Sequence, residues 1–305
     1  MSVQSSDYDR CIDLSERVAW RLDDVVTVQS RLDFSKPFMP SAMDFARTLP
    51  FLSSTEKLKL NQIFGNAYSY LFYFVEAYII TMAMDRARSE LRGTESNLRA
   101  LLRFAEEEVK HQQMFVRFNQ LFKQEFGTEC KLAGDPHAVA ALILSKSPMA
   151  VLLTTLHFEL LTQAHYVDCI KDSQETDDLF RSLFKHHWLE ESQHAKVDVL
   201  ELLKLRRVAD EGQVQTAVDD YFDICSAFVG LLATQAKLDV ESLELATGRT
   251  IPEPKAAAIE AAQRRGYQRA FLWYGLTNTM FQEFLREHFP QAVDRAANMA
   301  KQLAK

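Results

Sequence analysis

The feature that most constrains the fold of this chain is a set of three residues, two glutamates and one histidine, that occurs twice with the same internal spacing. A glutamate, a second glutamate 32 residues further on and a histidine three residues after that occur twice. The interval between the two sets is 83 residues, so that Glu76, Glu108 and His111 map onto Glu159, Glu191 and His194. The two glutamates of each set are symmetric about positions 92 and 175, where we predict turns. Two antiparallel helical hairpins would therefore bring all six side chains into one layer.

The composition supports long helices with few turns. The chain has only 9 Gly and 8 Pro in 305 residues, and because these residues mark turns, an all-β sandwich or barrel is excluded. Ser53-x-x-Glu56 is a capping-box pattern that begins one helix. Apolar spacing and stop signals predict helices over about 8–32, 53–91, 95–126, 136–145, 148–171, 176–209, 213–247 and 255–288, with a short one at the C-terminus.

The connections between these helices predict a topology. Short connections make antiparallel hairpins, while the 21-residue stretch 127–147 is long enough to cross from one hairpin to the other. We therefore expect an all-α fold with a four-helix bundle of two αα-hairpins and one long crossover. We predict a single domain over 1–305, with the four-helix core over 55–210, an N-terminal helix and connection over 1–54, and covering helices over 211–305.

Two glutamates lie where a soluble protein rarely places a charge. Glu76 is the only formally charged residue in 61–84, and Glu159 is the only one in 147–167. An unpaired carboxylate in an apolar core is costly unless it is protonated or meets a cation, so either residue alone could be a neutral acid or half of an ion pair. Each Glu-x-x-His pair places both side chains on one helix face. Four carboxylates and two imidazoles in one dry layer predict a binuclear metal site.

At this point the pattern resembles a known family. One Glu from each of two helices, with Glu-x-x-His from each of the other two, is similar to the di-iron or di-manganese site of ferritin-like bundles. The stretch His187-x-x-x-Glu191-x-x-His194 further resembles the di-iron arylamine N-oxygenases, typified by p-aminobenzoate N-oxygenase, which carry an additional histidine four residues before the last glutamate. The resemblance covers roughly residues 50–210. The commoner Asp-Glu-x-Arg-His of that family stands here as Glu107-Glu108-Val-Lys-His111, which leaves the substrate open.

The resemblance implies roles for residues beside the six ligands. His187 would be a seventh ligand, to one ion only, because its counterpart under the 83-residue shift is Phe104; a packing histidine is the alternative. Glu107 and Glu190 would accept hydrogen bonds from the histidine of the opposite helix and fix its tautomer, or they are solvated charges, as we expect of Glu106. Residues one turn from the ligands would line a substrate pocket, and these are Phe72, Tyr73, Ile80, Phe104, Thr155 and Gln163.

The other histidines and the tyrosines near the site receive less specific predictions. His157 and His165 lie off the face of Glu159 and are expected to be core or surface histidines. His186 is expected to be exposed. Tyr73, Tyr78 and Tyr166 are candidate redox tyrosines, with packing as the more ordinary interpretation of aromatic residues on a core helix.

Several classes of function are excluded by other features. The net charge of −7 does not indicate a basic surface for nucleic acid. The sequence contains no run of about 18 apolar residues, so it predicts no membrane span. Residues 1–30 lack the apolar segment of a signal peptide. The four cysteines form no C-x-x-C motif, which is typical of reduced thiols in a cytoplasmic protein. A homodimer is compatible with the chain.

Carboxylate and imidazole ligands without thiolate suit iron or manganese. We expect two Fe ions, with Mn or a mixed Fe/Mn pair as alternatives, in an O2-dependent oxygenase that acts on a small organic molecule and takes electrons from an external donor. N-oxygenation of an amine is the leading reaction. The alternatives are another di-iron hydroxylase or oxidase, a manganese catalase-like enzyme, and a non-catalytic ferritin-like metal-binding protein.

Overall fold

The structure, a computed structural model, describes residues 3–304, and every regular element within that range is helical. The predicted all-α class is therefore confirmed. The α-helices in chain order are α1 (Ser5–Val18), α2 (Leu22–Val25), α3 (Ser54–Ser89), α4 (Glu95–Glu125), α5 (Pro136–Leu144), α6 (Pro148–His165), α7 (Asp178–Val208), α8 (Glu211–Thr247), α9 (Glu253–Gln268), α10 (Tyr274–Thr277), α11 (Thr279–His288) and α12 (Pro290–Leu303). A 3₁₀ helix covers Ala46–Thr48, and π-helical turns over Tyr166–Ile170 and Arg269–Trp273 follow α6 and α9.

Two helical hairpins form the centre of the molecule. The short connections 90–94 and 171–177 make α3 antiparallel to α4 and α6, with its π-helical turn, antiparallel to α7. The hairpins pack on each other through α3 with α6 and α4 with α7. The connection 126–147, which carries α5, crosses between them. Ser53 begins α3 as its N-cap, because its hydroxyl accepts from the N–H of Glu56 while the Glu56 carboxylate accepts from the N–H of Ser53 at 2.8 Å.

Helices from both ends of the chain cover the two hairpins. α1 packs against α4 and α7, and α8 packs against α3 and α6. α9 lies on α8, and α12 contacts α10 and α11. The α4 and α7 face is thus closed by the N-terminal helix, and the α3 and α6 face by the C-terminal half of the chain.

The structure differs from the sequence prediction in two helices. The helix predicted over 8–32 ends at Val18, and only the four residues Leu22–Val25 are helical beyond it. The run Val25-Val26-Thr27-Val28 disfavours continuation of the helix beyond α2, since β-branched side chains lose rotamer freedom in a helix. The helix predicted over 255–288 is interrupted at Asn278, whose side chain accepts from two backbone N–H groups and so caps α11 instead of continuing α10.

One helix is long and apolar enough to raise the question of a membrane. This helix is α3, and 67% of its most apolar 18-residue window is buried inside the protein. A core helix of a soluble protein meets the same criterion, and the position of α3 among α4, α5, α6 and α8 is that of a core helix.

Candidate metal centre

Seven ionisable side chains from four helices meet in one layer of the core. α3 contributes Glu76, α4 contributes Glu108 and His111, α6 contributes Glu159, and α7 contributes His187, Glu191 and His194. Each of the seven is at most 2% exposed. Distances of 2.7 to 3.9 Å between imidazole nitrogens and carboxylate oxygens connect all seven. The structure therefore brings together the residues that the 83-residue repeat relates, together with His187.

Both histidines of the Glu-x-x-His pairs turn the same ring nitrogen toward the carboxylates. Nδ1 of His194 lies 2.8 Å from Oε1 of Glu108 and 3.5 Å from Oε2 of Glu191. Nδ1 of His111 lies 3.4 Å from Oε2 of Glu108 and 3.3 Å from Oε1 of Glu191. The two glutamates at the centre of the layer therefore face both rings.

The outer nitrogen of each ring is held by an acid of the opposite helix. Nε2 of His194 donates to Oε2 of Glu107 at 2.9 Å, and Nε2 of His111 donates to Oε2 of Glu190 at 2.9 Å. A carboxylate oxygen is an acceptor, so this contact keeps the hydrogen on Nε2. Nδ1 is then the nitrogen available to a metal ion, and its orientation is fixed from outside the layer.

The carboxylates of the layer form two pairs with opposite tendencies. Burial raises the pKa of Glu76 well above its ordinary value, and the charge of Glu108 adds to the effect. Burial and the charge of Glu191 raise the pKa of Glu159 in the same way. Burial also opposes ionisation of Glu108 and Glu191, but the adjacent imidazoles outweigh it and hold their pKa values below the ordinary range. In each hairpin, burial thus disfavours ionisation of one glutamate, while the imidazoles favour ionisation of the other.

In the metal-free protein the surrounding carboxylates favour the protonated form of both imidazoles. Burial disfavours the charged ring, but the adjacent Glu108 and Glu190 carboxylates raise the pKa of His111 from 6.5 to about 9. The pKa of His194 is raised well above its ordinary value, against burial, by Glu108 and Glu107. Protons therefore balance the buried carboxylates, and a metal ion that binds here would replace them.

Several buried ligand atoms of the layer have no hydrogen-bond partner among the described residues. They are both carboxylate oxygens of Glu108, Oε2 of Glu159, Oε1 of Glu191, and Nδ1 of His111 and of His194. Such atoms are rare in folded proteins, because each costs free energy. Four ligand atoms, one each from Glu108, His111, Glu191 and His194, lie within 4.8 Å of one another, as do three from Glu76, His111 and His187. The residues present thus fit a metal ion, and the two overlapping groups could hold two.

His187 lies on the side of the layer that faces α3. Its Nε2 is 2.7 Å from Oε1 of Glu191 and 3.1 Å from Oε1 of Glu76. Its ring centroid is 4.6 Å from that of His111. His187 therefore belongs to the group that contains Glu76 and His111.

The acid that supports His194 is connected to the N-terminal helix. Ser15 of α1 donates a hydrogen bond to Oε1 of Glu107, and Arg103 donates one to Ser15. Arg103 Nε is also 3.6 Å from Oε1 of Glu107. The hydrogen bond and charge of His194, together with the hydrogen bond from Ser15, lower the pKa of Glu107 despite its burial. The covering helix α1 thus takes part in holding a metal-site histidine.

The acid that supports His111 has a different cation. Lys110 lies 2.5 Å from Oε1 of Glu190 and is 4.2 Å from the ring centroid of Trp20. The Trp20 ring in turn stacks on His111, with centroids 5.9 Å apart and an interplanar angle of 15°. The segment that follows α1 therefore covers the outer side of this histidine.

Two of the predicted pocket residues contact the metal-site histidines. Phe72 packs on His187 with ring centroids 5.3 Å apart, and Phe104 stacks on His194 at 4.3 Å and 27°. Gln163 donates from Nε2 to the backbone carbonyls of Glu159 and Glu191 at 3.4 and 3.3 Å. These residues border the layer.

The remaining predicted pocket residues differ in burial and in their hydrogen bonds. Thr155 is buried and its hydroxyl donates to the carbonyl of Val151 at 3.0 Å. Ile80 and Tyr73 are half-buried rather than buried. Tyr73 lines a surface cavity of about 260 Å³ together with Tyr70.

The other histidines lie outside the ligand cluster. His157 is buried, with Nδ1 2.8 Å from the hydroxyl of Tyr221, and His165 is buried, with Nδ1 2.7 Å from the hydroxyl of Tyr68. His186 is half-buried and donates from Nδ1 to a backbone carbonyl at 2.7 Å. Among the candidate redox tyrosines, Tyr78 is buried with its hydroxyl 3.4 Å from Thr155, and Tyr166 stacks on Trp188.

Sequence reasoning missed three residues that bear on this site. Ser15 and Trp20 reach it from the N-terminal segment, and no periodicity relates them to the ligands. Asp198 lies on α7 one turn beyond His194 and is completely buried. Its spacing from His194, four residues, is the signal that would have placed it on the same helix face.

No family model matches the chain, and no curated protein matches it either. The interpretation of the site therefore depends on the geometry of its own residues and on the pattern that the sequence presents.

Proposed function

We propose that this chain is a ferritin-like di-iron oxygenase that uses O2 to oxidise a small organic molecule, with N-oxygenation of an amine as the leading reaction. The observation that carries the proposal is the buried layer of four glutamates and two histidines, whose Nδ1 atoms face the central carboxylates while Glu107 and Glu190 hold their Nε2 atoms. Buried carboxylates and oriented imidazoles are the ligands that iron and manganese prefer. His187 supports the comparison with N-oxygenases.

Each iron ion would take one glutamate and one histidine from one hairpin, and the two ions would share the central glutamates. Glu76 and His111 would bind one ion, and Glu159 and His194 would bind the other. Glu108 and Glu191 would lie between the two, since their oxygens face both rings. When bound, the two ions supply the redox chemistry that activates O2.

The residues of the chain prepare the site for that chemistry. Glu107 and Glu190 keep the hydrogen of each imidazole on Nε2, so that Nδ1 can bind. Phe72, Phe115 and His187 pack together on one side of the layer and exclude water from it. A dry site strengthens every electrostatic interaction within it and limits side reactions of oxygen.

His187 distinguishes the two ions. As a neutral ligand on the side of Glu76 and His111, it would add electron density to one ion without changing the charge of the site. The matching position in the other hairpin is Phe104, which can only pack on His194. The two ions would therefore differ in coordination, as suits an enzyme in which only one of them receives the substrate.

The proposal also covers the partners and the location of the protein. The substrate is a small molecule, and an external donor supplies the electrons. The protein works in the cytoplasm, and the proposal is compatible with a homodimer.

A manganese catalase-like enzyme is the second candidate, because the same ligand set suits two manganese ions. A metal-binding protein without catalysis is the third.

Anaerobic reconstitution with Fe(II), followed by rapid mixing with O2, separates these candidates. The oxygenase predicts consumption of O2 and a transient visible absorption band, and it predicts oxidation of an added arylamine. Evolution of O2 from hydrogen peroxide by the manganese-loaded protein would instead identify a catalase. Iron-loaded protein that consumes no O2 would contradict the oxygenase.

A further inference from the structure

The inward face of α7 carries ionisable residues beyond the metal layer. His187, Glu191, His194, Asp198 and Glu201 follow one another at intervals of four, three, four and three residues, which places them on one face of the helix. All five are at most 2% exposed. The first three belong to the metal layer. Asp198 and Glu201 continue the same line toward the end of the bundle where α3 and α4 are joined.

The other hairpin does not carry these charges. The positions of α4 that correspond to Asp198 and Glu201 under the 83-residue shift are Phe115 and Phe118, both of which are buried. Packing alone therefore favours a large apolar side chain at these positions. Because burying a carboxylate is costly, the presence of two on α7 calls for a function.

Asp198 is a buried acid without a protein partner. It is 0% exposed, and neither of its carboxylate oxygens forms a hydrogen bond with any described residue. The charged groups that act on it from the metal layer are His194, Glu108 and Glu191, and Glu201 acts on it from the other side. Asp198 thus lies between the metal layer and Glu201 on α7.

Glu201 connects this line to the protein surface. Its Oε2 accepts from Arg86 Nε of α3 at 2.7 Å, and its Oε1 accepts from the hydroxyl of Tyr8 at 2.7 Å. Lys204 lies 3.3 Å from the same carboxylate. Tyr8 and Lys204 line a surface cavity of about 370 Å³. The buried Glu201 carboxylate is therefore one hydrogen bond away from a group that borders the cavity.

On the opposite side of the metal layer, aromatic rings surround His187. There, Phe72, Phe115 and Phe184 surround His187 with ring centroids 5.0 to 6.5 Å from its own. Phe72 and Phe115 also stack on each other at 5.4 Å. The core is thus aromatic on the His187 side and ionisable on the Asp198 side.

We propose that Asp198 and Glu201 form a proton path between the metal centre and the surface cavity beside Tyr8. The path rests on the proposed function, because inserting one oxygen atom of O2 into a substrate and reducing the other to water consumes two electrons and two protons. The external donor supplies the electrons, and solvent in the cavity supplies the protons.

In each transfer the O–H bond of Asp198 breaks and a new O–H bond forms on the oxygen that becomes water. The Asp198 carboxylate then recovers a proton from solvent through Glu201. Burial raises the pKa of Asp198 well above its ordinary value, which favours the protonated carboxyl in the metal-free protein. In this path Asp198 is the proton donor to the reacting oxygen, and it needs no contact with the organic substrate.

Proton exchange in the full-length chain as purified, without substrate or reductant, tests the path independently of oxygen chemistry. The infrared carbonyl band of protonated Asp198 is identified as the band that disappears in Asp198→Asn. After dilution into D2O, the shift of this band reports the exchange of the carboxyl proton. The path predicts that Glu201→Gln slows this exchange by at least about tenfold, and that Tyr8→Phe, which removes one oxygen, also slows it.

Matched controls separate the path from general opening of the protein. Glu106→Gln changes an exposed acid of α4 and should leave the exchange rate at the wild-type value. Backbone amide exchange of α7 should be the same in all variants. If Glu201→Gln does not fold, the exchange rate of the Asp198 proton in Tyr8→Phe tests the path. Equal exchange rates in wild type, Glu201→Gln and Tyr8→Phe would overturn the path, as would the absence of a protonated Asp198 band.

The same variants distinguish a failure of the path from a failure of the proposed function. Slower exchange in Glu201→Gln with no O2 consumption by the iron-loaded wild type would leave the path standing and contradict the oxygenase. O2 consumption by the iron-loaded wild type, with equal exchange rates in wild type, Glu201→Gln and Tyr8→Phe, would support the oxygenase and contradict the proton path.

Discussion

The carboxylate of Glu107 accepts a hydrogen bond from Nε2 of His194 at 2.9 Å, across the interface between α4 and α7. Glu190 and His111 make the same contact in the opposite direction at the same distance. Each of the two helices thus orients a histidine of the other. The glutamate that directly precedes the Glu-x-x-His pair of one helix holds the histidine of the pair on the opposite helix. This crossed arrangement holds both Nδ1 atoms toward the central carboxylates before any ion arrives.

The first prediction concerns these supporting acids. Glu107→Gln and Glu190→Gln should each weaken metal binding by about tenfold, the lower end of the range for such contacts. The amide oxygen can still accept the hydrogen bond, but it lacks the charge that increases the basicity of the ring. Competitive titration with Co(II) measures the effect.

Glu106→Gln is the matched control for this prediction, because Glu106 is adjacent in sequence but exposed. Its affinity should equal that of the wild type. Wild-type affinity in both Glu107→Gln and Glu190→Gln would show that the two contacts are structural rather than supports of a metal site.

The sequence contains enough information to predict the fold class and the composition of the layer. Gly93, the Ser53 capping box and the scarcity of Pro place the helices, and the 83-residue repeat relates the six ligands. Helical periodicity, however, relates only residues that belong to the same helix. Contacts such as Ser15 with Glu107 join residues that are 92 positions apart and belong to different helices, so no spacing predicts them.

The prediction of the N-terminal helix was wrong beyond Val18. Apolar residues continue at helical spacing to residue 32, but the chain leaves the helix after Val18, and the β-branched Val25, Val26 and Val28 lie at and beyond the end of the short helix α2. This departure brings Trp20 onto His111. Spacing alone could not reveal it, since the same pattern describes a helix and an irregular segment packed on a core.

The second prediction concerns the stability of the metal-free protein as a function of pH. In the folded state the pKa values of Glu76 and Glu159 are raised above 4.5, and that of His111 is raised from 6.5 to about 9. Burial lowers the pKa values of His157, His165 and His187, so these rings are neutral in both states above about pH 7. Between about pH 7 and pH 9 the folded protein therefore binds more protons than the unfolded chain. Its stability should fall as the pH rises through this window.

The metal-loaded protein should show a different dependence. Bound ions replace those protons, so metal affinity increases with pH, and the difference in melting temperature between loaded and metal-free protein should increase from pH 6 to pH 9. Thermal denaturation at several pH values measures both curves. A difference that is constant or that decreases with pH would contradict a layer in which protons and metal ions compete.

The third prediction concerns His187. His187→Phe copies the residue that the other hairpin has at this position, Phe104, and retains four carboxylates and two histidines. Both ions should therefore remain bound, while the transient absorption after mixing with O2 changes its lifetime and product formation slows. His187→Ala should behave similarly but leave a cavity that destabilises the protein by about 2 kcal/mol or more. Unchanged spectra and turnover in His187→Phe would identify a packing histidine.

The central claim, that the buried layer is a binuclear metal centre, is tested most directly by metal stoichiometry. Anaerobic titration of the wild type with Fe(II), followed by elemental analysis after removal of free metal, should give two ions per chain. Alanine substitution of the central ligands, Glu108→Ala and Glu191→Ala, should reduce the bound metal severely, because each of these carboxylates faces both histidine rings. Full metal occupancy in both variants, or a wild type that binds no iron, would contradict the assignment.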